Sequence, residues 1–164
     1  MLMTQNEEMF FVSALRQDAE VLEWGSGQST AQIALRTKSI VSIEHNVEWY
    51  RKLKPRLELF HNVEYFFVPP NTPYDERLGD GTAIQFLNYC MRPAMFHPQR
   101  MFDVILIDGR ARIGCADIAQ SILQLNGFIF IHDYDRTAYH EVEQFLKLVD
   151  RKETMAKFVV AKFA

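Results

Sequence analysis

The sequence has few cysteines and no long apolar run. It contains only two cysteines, Cys90 and Cys115, too few for a disulfide framework. No apolar stretch approaches the roughly 18 residues that span a membrane, and the first residues lack a basic segment followed by an apolar one. We therefore expect a cytoplasmic protein with both cysteines as thiols and no membrane segment.

An excess of charge of one sign is also missing. The chain has 18 basic and 21 acidic residues, a formal net charge of −3, which gives no electrostatic reason to expect a nucleic-acid partner. Hydrophobic residues make up 48% of the chain, enough apolar surface to offset the ordering entropy of a folded core. The length of 164 residues suits one domain, which we assign to residues 1–164.

Short apolar segments alternate with helical ones, the pattern of βα units around a mainly parallel sheet. This order predicts an α/β fold, a doubly wound and mostly parallel sheet with helices on both faces. The predicted strands are Ala19–Trp24, Ser39–Glu44, Asn62–Val68, Phe102–Ile107, Phe128–His132 and Lys157–Phe163, with the last two strands left open around Asp150–Met155. Helices are predicted in the N-terminal residues 1–17, at Ser29–Arg36, after the cap Asn46, and at Thr82–Met91, Ile113–Leu125 and Thr137–Val149.

Residues Pro69–Gly81 interrupt the alternation. The segment is rich in Pro, Gly, Asn and Asp, so it is predicted to be a long loop. Loops of this length in compact domains are often functional, and we expect residues 69–81 to lie on the substrate side of the site.

A glycine turn joins the first predicted strand to the following helix. The strand ends with Glu23 and Trp24, and the turn follows with Gly25, Ser26 and Gly27. Its glycines allow a ligand to approach main-chain N–H groups at the helix start. Glu44 ends the second strand, where its carboxylate is placed to accept hydrogen bonds from the hydroxyls of a bound ribose. The alternative is an ordinary tight turn beside a surface glutamate.

This turn resembles the first motif of class I S-adenosylmethionine-dependent methyltransferases, an acid followed by x-Gly-x-Gly. The resemblance extends over nearly the whole chain, because Ser42–His45, Phe102–Gly109 and Gly127–Asp133 are similar to later motifs of that family. It implies a Rossmann-like sheet of seven strands, S-adenosylmethionine as cofactor, and methyl transfer to an O or N nucleophile of a small molecule. A small NAD-dependent oxidoreductase is disfavoured, since Thr30 stands where a dinucleotide site has a third glycine.

The resemblance also implies which residues contact the cofactor. The glycines of the turn would lie against its methionine part, and Glu23 would face its amino end. Glu44 would hold the ribose hydroxyls, with His45 beside the adenine edge. Asp80 belongs to a Gly-Asp-Gly step similar to one in small-molecule O-methyltransferases whose acid meets the adenine. The implied cofactor-binding residues are Glu23, Gly25, Ser26, Gly27, Glu44, His45, Asp80 and Asp108.

Polar residues follow the fourth and fifth predicted strands at the same edge of the sheet. Arg110 and Arg112, just after Asp108, can clamp a carboxylate or phosphate of an anionic substrate; the alternative is a solvated loop paired with nearby acids. His132 can act as a general base oriented by Asp133 or Asp135, because imidazole titrates near neutral pH; the alternative is a hydrogen-bonded structural histidine. The predicted catalytic residues are Asp108, His132 and Asp133.

Two alternatives stay open. Metal-dependent O-methyltransferases, which the chain partly resembles, hold a divalent ion through an acid after the fourth strand and an Asp-Asn pair after the fifth. Asp108 and Asp133 match the acids, but Tyr134 replaces the asparagine, so no metal ligand is assigned. The second alternative is a non-catalytic cofactor- or nucleotide-binding module, because little sequence lies outside the sheet to build a substrate pocket.

Overall fold

The computed structural model describes residues 3–75, 77 and 79–161. The α-helices of this part are α1 (Gln5–Val12), α2 (Gln28–Ala34), α3 (Val47–Leu57), α4 (Leu87–Met91) and α5 (Arg112–Ile122). The strands are β1 (Glu20–Trp24), β2 (Ser39–Glu44), β3 (Val63–Phe67), β4 (Phe102–Ile107), β5 (Leu123–Ile131), β6 (Leu146–Lys152) and β7 (Met155–Val160). Short 3₁₀ helices lie at Arg92–Met95 and Thr137–Gln144.

The strands form one seven-stranded sheet in the order β3-β2-β1-β4-β5-β7-β6. Strands β1 to β5 pair in parallel, whereas β7 pairs antiparallel with both β5 and β6. The predicted seven-stranded, mostly parallel α/β sheet is therefore confirmed. The strand order reverses at β1, and open α/β sheets bind ligands at the carboxyl ends of the strands beside such a reversal.

Alternate residues of β1 enter different apolar clusters. Leu22 and Trp24 belong to one cluster with Tyr89 of α4, whereas Val21 belongs to another with Phe11 of α1. Since successive strand residues point to opposite faces, the two clusters lie on the two sides of the sheet. The indole N–H of Trp24 donates to the carbonyl of Tyr89 at 3.0 Å, which pairs its polar atom in the core.

Both cysteines are free and buried, with their sulfur atoms 3.7 Å apart. None of the helices in the described part of the chain has the length and apolar character needed to cross a bilayer.

The helix predicted at Ile113–Leu125 ends early. It stops at Ile122, and β5 begins at Leu123. Asn126 has a φ of 69°, and the register between β4 and β5 shifts beside it, so Asn126 and Gly127 form an irregularity within the strand instead of a helix end. A side chain at Gly127 would begin 2.7 Å from the carbonyl oxygen of Asp103, which explains the glycine.

The helix predicted at Thr137–Val149 is also wrong. A 3₁₀ helix ends at Gln144, and β6 follows as an edge strand in which only Leu146 is buried. A strand exposed along most of its length carries no alternation of apolar residues, so the sequence pattern does not reveal it. The strand predicted at Lys157–Phe163 begins earlier, at Met155, while Phe163 lies outside the described residues.

Two other predicted helices are shorter. Helix α1 ends at Val12 instead of Gln17, because the chain continues in turns whose N–H groups bond three residues back. The helix predicted at Thr82–Met91 begins at Leu87, since Phe86 has non-helical torsions of φ −118° and ψ 28°.

Candidate functional site

A cleft of about 880 Å³ opens at the carboxyl ends of β1, β2, β4 and β5. Its size lies in the range of small-molecule sites. The predicted site residues that line it are Gly25, Ser26, Gly27, Glu44, His45, Asp108, Arg110, Arg112 and Asp133. Glu23, Asp80 and His132 lie behind this lining. Most of the residues that the sequence predicted for a site are thus brought to one place.

The structure gives a reason for glycine at one of the two glycine positions of the turn but not at the other. Gly25 has a φ of +90°, and a side chain there would begin 2.5 Å from the backbone of Gly109. Close packing of two loops therefore explains Gly25 without any ligand. Gly27 is extended at φ −163°, and the nearest atom to an added side chain is the Ser29 hydroxyl at 3.7 Å. A side chain at Gly27 would therefore meet the described chain at no more than ordinary van der Waals contact.

The N–H groups of the turn are already bonded within the chain. The N–H of Gly25 donates to the carbonyl of Ile43 at 2.9 Å, and that of Gly27 to the Thr30 hydroxyl at 3.0 Å. The N–H of Ser26 donates to Glu44 at 3.1 Å. These three N–H groups are therefore not free to donate to a ligand. A ligand can approach the turn closely but would not bond to them.

Glu23 supports the turn from below. Its fully buried carboxylate accepts hydrogen bonds from the hydroxyls of Ser29, Thr30 and Ser42 at 2.5, 2.6 and 2.6 Å. Burial raises the pKa of Glu23 to about 7 despite these three donors. Thr30 links the acid to the turn, because its hydroxyl also accepts the N–H of Gly27. Contact between Glu23 and the amino end of a cofactor stays a prediction.

Glu44 is held by the backbone at the end of β2. One carboxylate oxygen accepts the N–H groups of His45 and Asn46 at 2.9 and 2.7 Å, and the other accepts that of Ser26. Burial raises the pKa of Glu44, opposed by these backbone donors. A carboxylate offers about four acceptor positions, so roughly one remains on the oxygen that faces Ser26. That capacity suits one hydroxyl group.

His45 presents an unpartnered nitrogen beside the cleft. Its buried Nδ1 lies 3.1 Å from Glu44 but without hydrogen-bond geometry, and no described group bonds to it. Burial, together with the charge of Arg110, lowers the pKa of His45 to about 4, so the ring is neutral at pH 7. The rings of Phe86 and Tyr89 meet it edge-on at 5.5 and 5.6 Å. A neutral ring fixed in this way can bond to a polar edge of a ligand.

Asp108, not His132, faces the cleft. The Nδ1 of His132 lies 2.8 Å from a carboxylate oxygen of Asp108, and its Nε2 lies 3.4 Å from Glu7. Burial lowers the pKa of His132, but the hydrogen bond and charge of Asp108, with the charges of Asp133 and Glu7, outweigh it and raise the pKa. The ring is fully buried, whereas the Asp108 side chain is 20% exposed. Both ring nitrogens of His132 are thus engaged within the chain.

Arg112 joins the ends of β4 and β5. Its guanidinium lies 2.9 Å from Asp133 and donates to the carbonyls of Gly109 and His132. Asp80 accepts the main-chain N–H of Arg112 at 2.9 Å, which places this acid behind the cleft wall. With a side chain only 5% exposed, Arg112 has most of its donors committed within the fold. This matches the alternative of arginine–acid pairing more closely than a substrate clamp.

Several cleft residues were not assigned to the site by the sequence analysis, and two of them, Arg136 and Trp49, carry polar groups beside predicted site residues. Arg136, just past the end of β5, is half exposed and lies 3.2 Å from Asp133. Trp49 of α3 is 36% exposed and donates its indole N–H to the carbonyl of Ser26 at 2.6 Å. The sequence positions of Arg136 and Trp49 could have indicated both residues, because each follows a strand end that carries a predicted site acid.

The described residues of loop 69–81 do not line the cleft. The Tyr74 hydroxyl donates to the carbonyl of Gly79 at 2.5 Å, and the N–H of Asn71 donates to Gln85 at 2.8 Å. The carbonyl of Asp80 accepts the N–H of Ala111 at 3.0 Å. The loop therefore packs on the segment before α4 and on the start of α5, and its substrate-side role stays a prediction.

Asp108, His132 and Asp133 bring three metal-type ligand atoms within 4.8 Å of one another. These atoms are already paired, since His132 bonds to Asp108, and Asp133 contacts two arginines. Tyr134 is buried, and its hydroxyl donates to Glu143. Because arginine charges beside the acids oppose a divalent cation, this donor set does not fit a resident metal.

Several solved structures share the fold. A methyltransferase-like protein from Silicibacter pomeroyi DSS-3 has a TM-score of 0.81 and 26% identity, covering 98% of this chain and 87% of its own. An rRNA methylase from Streptococcus thermophilus has a TM-score of 0.61 at 12% identity, covering 99% and 100%. N-methyltransferase NodS from Bradyrhizobium japonicum WM9, in complex with S-adenosyl-L-homocysteine, has 0.60 at 13%, covering 97% and 89%. No protein-family model matches this chain, and no curated protein is significantly similar to it.

Proposed function

From the fold of class I S-adenosylmethionine-dependent methyltransferases, the family whose resemblance these structures confirm, we propose that this protein binds S-adenosylmethionine and methylates an O or N nucleophile of a small, anionic molecule. The cleft carries the proposal, because it gathers the glycine turn, Glu44 and Asp108 from three strand ends. The apolar clusters on the two sides of the sheet support a doubly wound arrangement of one domain.

The residues around the cleft fit this cofactor. The space beside Gly27 admits close approach, Glu44 has acceptor capacity for one hydroxyl, and His45 has an unpartnered ring nitrogen. When bound, S-adenosylmethionine supplies an electrophilic methyl group. We assign the methionine part to the turn, the ribose to Glu44 and the adenine edge to His45.

We keep Asp108 as a cofactor contact, as the resemblance implies, and also assign it to the acceptor. Its carboxylate lines the cleft and can accept a hydrogen bond from the acceptor's O–H or N–H, orienting the nucleophile and taking its proton. His132 holds Asp108 from behind, and Asp133 holds Arg112 at the strand ends. In this proposal His132, which the sequence predicted as the base, does not contact the acceptor and instead positions the Asp108 carboxylate.

Arginines support an anionic acceptor. Arg110 and Arg136 line the cleft, and a guanidinium binds carboxylate or phosphate through paired N–H donors. Arg112, predicted for the same task, instead fixes the turn that carries Arg110. The net charge of −3 supports a small molecule over a nucleic acid, and the free buried thiols support a cytoplasmic protein.

A non-catalytic cofactor-binding module is the second candidate. It is favoured by the full burial of His132, the histidine that the sequence predicted as the base. Turnover of an acceptor separates the two candidates, whereas cofactor binding is common to both.

Calorimetric titration with S-adenosylmethionine, S-adenosylhomocysteine and NAD tests the proposal. We expect micromolar binding of both sulfur compounds, no binding of NAD, and at least about tenfold weaker binding by Glu44→Ala, or roughly 1.4 kcal/mol. Glu58→Ala, an exposed acid at the end of α3, is the matched control and should bind like the wild type. A folded protein that binds neither sulfur compound contradicts the proposal.

A further inference from the structure

A buried carboxylate fastens α1 to the sheet. Glu7, in the first turn of α1, is 1% exposed. One of its oxygens accepts the N–H and the hydroxyl of Thr154 at 2.8 and 2.5 Å. The other accepts the N–H of Thr4 at 2.8 Å and lies 3.4 Å from Nε2 of His132. A buried charge needs such partners to be tolerated. Glu7 therefore does more than close the first turn of α1 with Thr4: it also bonds to residues of the sheet region.

His132 continues this connection to the cleft. Its other nitrogen lies 2.8 Å from Asp108, whose side chain lines the cleft. Glu7 and Asp108 thus hold opposite sides of one fully buried ring. Burial raises the pKa of Glu7, but its hydrogen bonds and the His132 charge outweigh this and lower the pKa to about 2, which keeps the carboxylate ionised at neutral pH.

The same helix forms a wall of the cleft. The cleft is lined here by Glu8, Phe11 and Val12 of the helix and by Met3 just before it. Phe11 is 2% exposed and packs edge-on against Phe130 of β5, with ring centroids 5.2 Å apart. We call the Glu7–His132–Asp108 connection the latch. One end of the latch lies in α1, which forms a wall of the cleft, and the other end is the Asp108 carboxylate, which lines the cleft.

We propose that Glu7 is a positioning residue of the site: through His132 it fixes both the α1 wall and the Asp108 carboxylate around the bound ligand. This inference rests on the proposed function in one respect: the bound ligand is taken to be the methyl-donor cofactor. A merely structural Glu7 would stabilise α1 without any coupling to Asp108.

A double-mutant cycle on S-adenosylhomocysteine affinity tests the latch. We expect Glu7→Gln and Asp108→Asn each to weaken binding by about threefold to tenfold, and the double variant to be clearly less affected than the product of the two. The two side chains meet only through His132, so this coupling is the signature of the latch. If Glu7→Gln does not fold, Glu7→Asp withdraws the carboxylate from His132 while keeping its charge.

Glu153→Gln is the matched control. Glu153 also bonds to the start of α1, through the Asn6 amide at 2.6 Å and the Thr4 hydroxyl, but it is exposed and does not reach His132. Its substitution should change affinity by less than about twofold and combine independently with Asp108→Asn. Equal behaviour of the Glu7 and Glu153 variants in the cycle overturns the proposal.

Hydrogen exchange separates this inference from the proposed function. If the wild type does not bind S-adenosylhomocysteine, the proposed function fails, and the latch is tested in the unliganded protein. Glu7→Gln should then speed amide exchange both in α1 and in the segment after β4, whereas Glu153→Gln should affect α1 alone. Exchange changes confined to α1 in both variants contradict the latch.

Discussion

At the residue scale, the sequence motif and the structure give different reasons for two similar glycines. Gly25 is needed by the fold, because its left-handed torsion and its contact with Gly109 exclude a side chain. Gly27 has ordinary extended torsions, and an added side chain would meet only the Ser29 hydroxyl, at ordinary van der Waals distance. A requirement for glycine at Gly27 must therefore come from something that enters the cleft.

Alanine at the two positions should separate these requirements. Gly25→Ala should lower the free energy of unfolding by more than about 2 kcal/mol, since it adds both torsional strain and a backbone clash. Gly27→Ala should leave stability unchanged or raise it by up to about 1 kcal/mol, yet weaken S-adenosylhomocysteine binding by about tenfold. Chemical unfolding and calorimetry measure the two effects. Wild-type affinity of a folded Gly27→Ala protein would contradict the assignment of the turn to the cofactor.

The position of His132 was predicted from the sequence, but its burial was not. The sequence placed it correctly at the end of the fifth strand, and chemistry allowed a base. Its orientation depends on Glu7, which lies 125 residues away in sequence, so no local pattern indicated that the ring would be buried. Arg112 is similar, because its partners Asp80 and Asp133 come from two other segments.

At the element scale, α1 is held by charge as well as by apolar packing. Folding lowers the pKa of Glu7 from its ordinary value of 4.5 to about 2. Because the folded pKa is the lower one, the contribution of Glu7 to stability is complete above pH 4.5 and is lost as the pH falls towards 2. The difference corresponds to about 3 kcal/mol at neutral pH.

This gives a prediction for acid unfolding. Between pH 6 and pH 3 the free energy of unfolding of the wild type should fall more steeply than that of Glu7→Gln, which has no carboxylate to protonate. Urea unfolding at a series of pH values measures both slopes. Parallel slopes would show that Glu7 does not have a lowered pKa in the folded protein.

Other elements show which patterns carry information. The central strands β1, β2 and β4 were predicted within one residue, because buried parallel strands are continuous apolar runs. The first four residues of the edge strand β6 were predicted as helix and the rest was left open, because the strand is exposed along most of its length and lacks such a run. The Asn126–Gly127 step was interpreted as the end of the helix, but the same residue types also form irregularities within strands, as they do here.

At the scale of the whole molecule, the site is a consequence of sheet topology. Parallel strands bring their carboxyl ends to one edge, so residues after β1, β2, β4 and β5 could be grouped from the sequence alone. The contribution of α1 to the cleft could not, because it depends on how the helix docks against β5 and the turn before β7.

A crystal structure of the protein grown with S-adenosylhomocysteine tests the central claim most directly. The account predicts that the compound lies in the cleft, with its amino-acid part along Gly27, a ribose hydroxyl on Glu44 and its sulfur on the side of the cleft that Asp108 lines. The compound bound away from this cleft, or a cleft that stays empty at saturating concentration, would contradict the account.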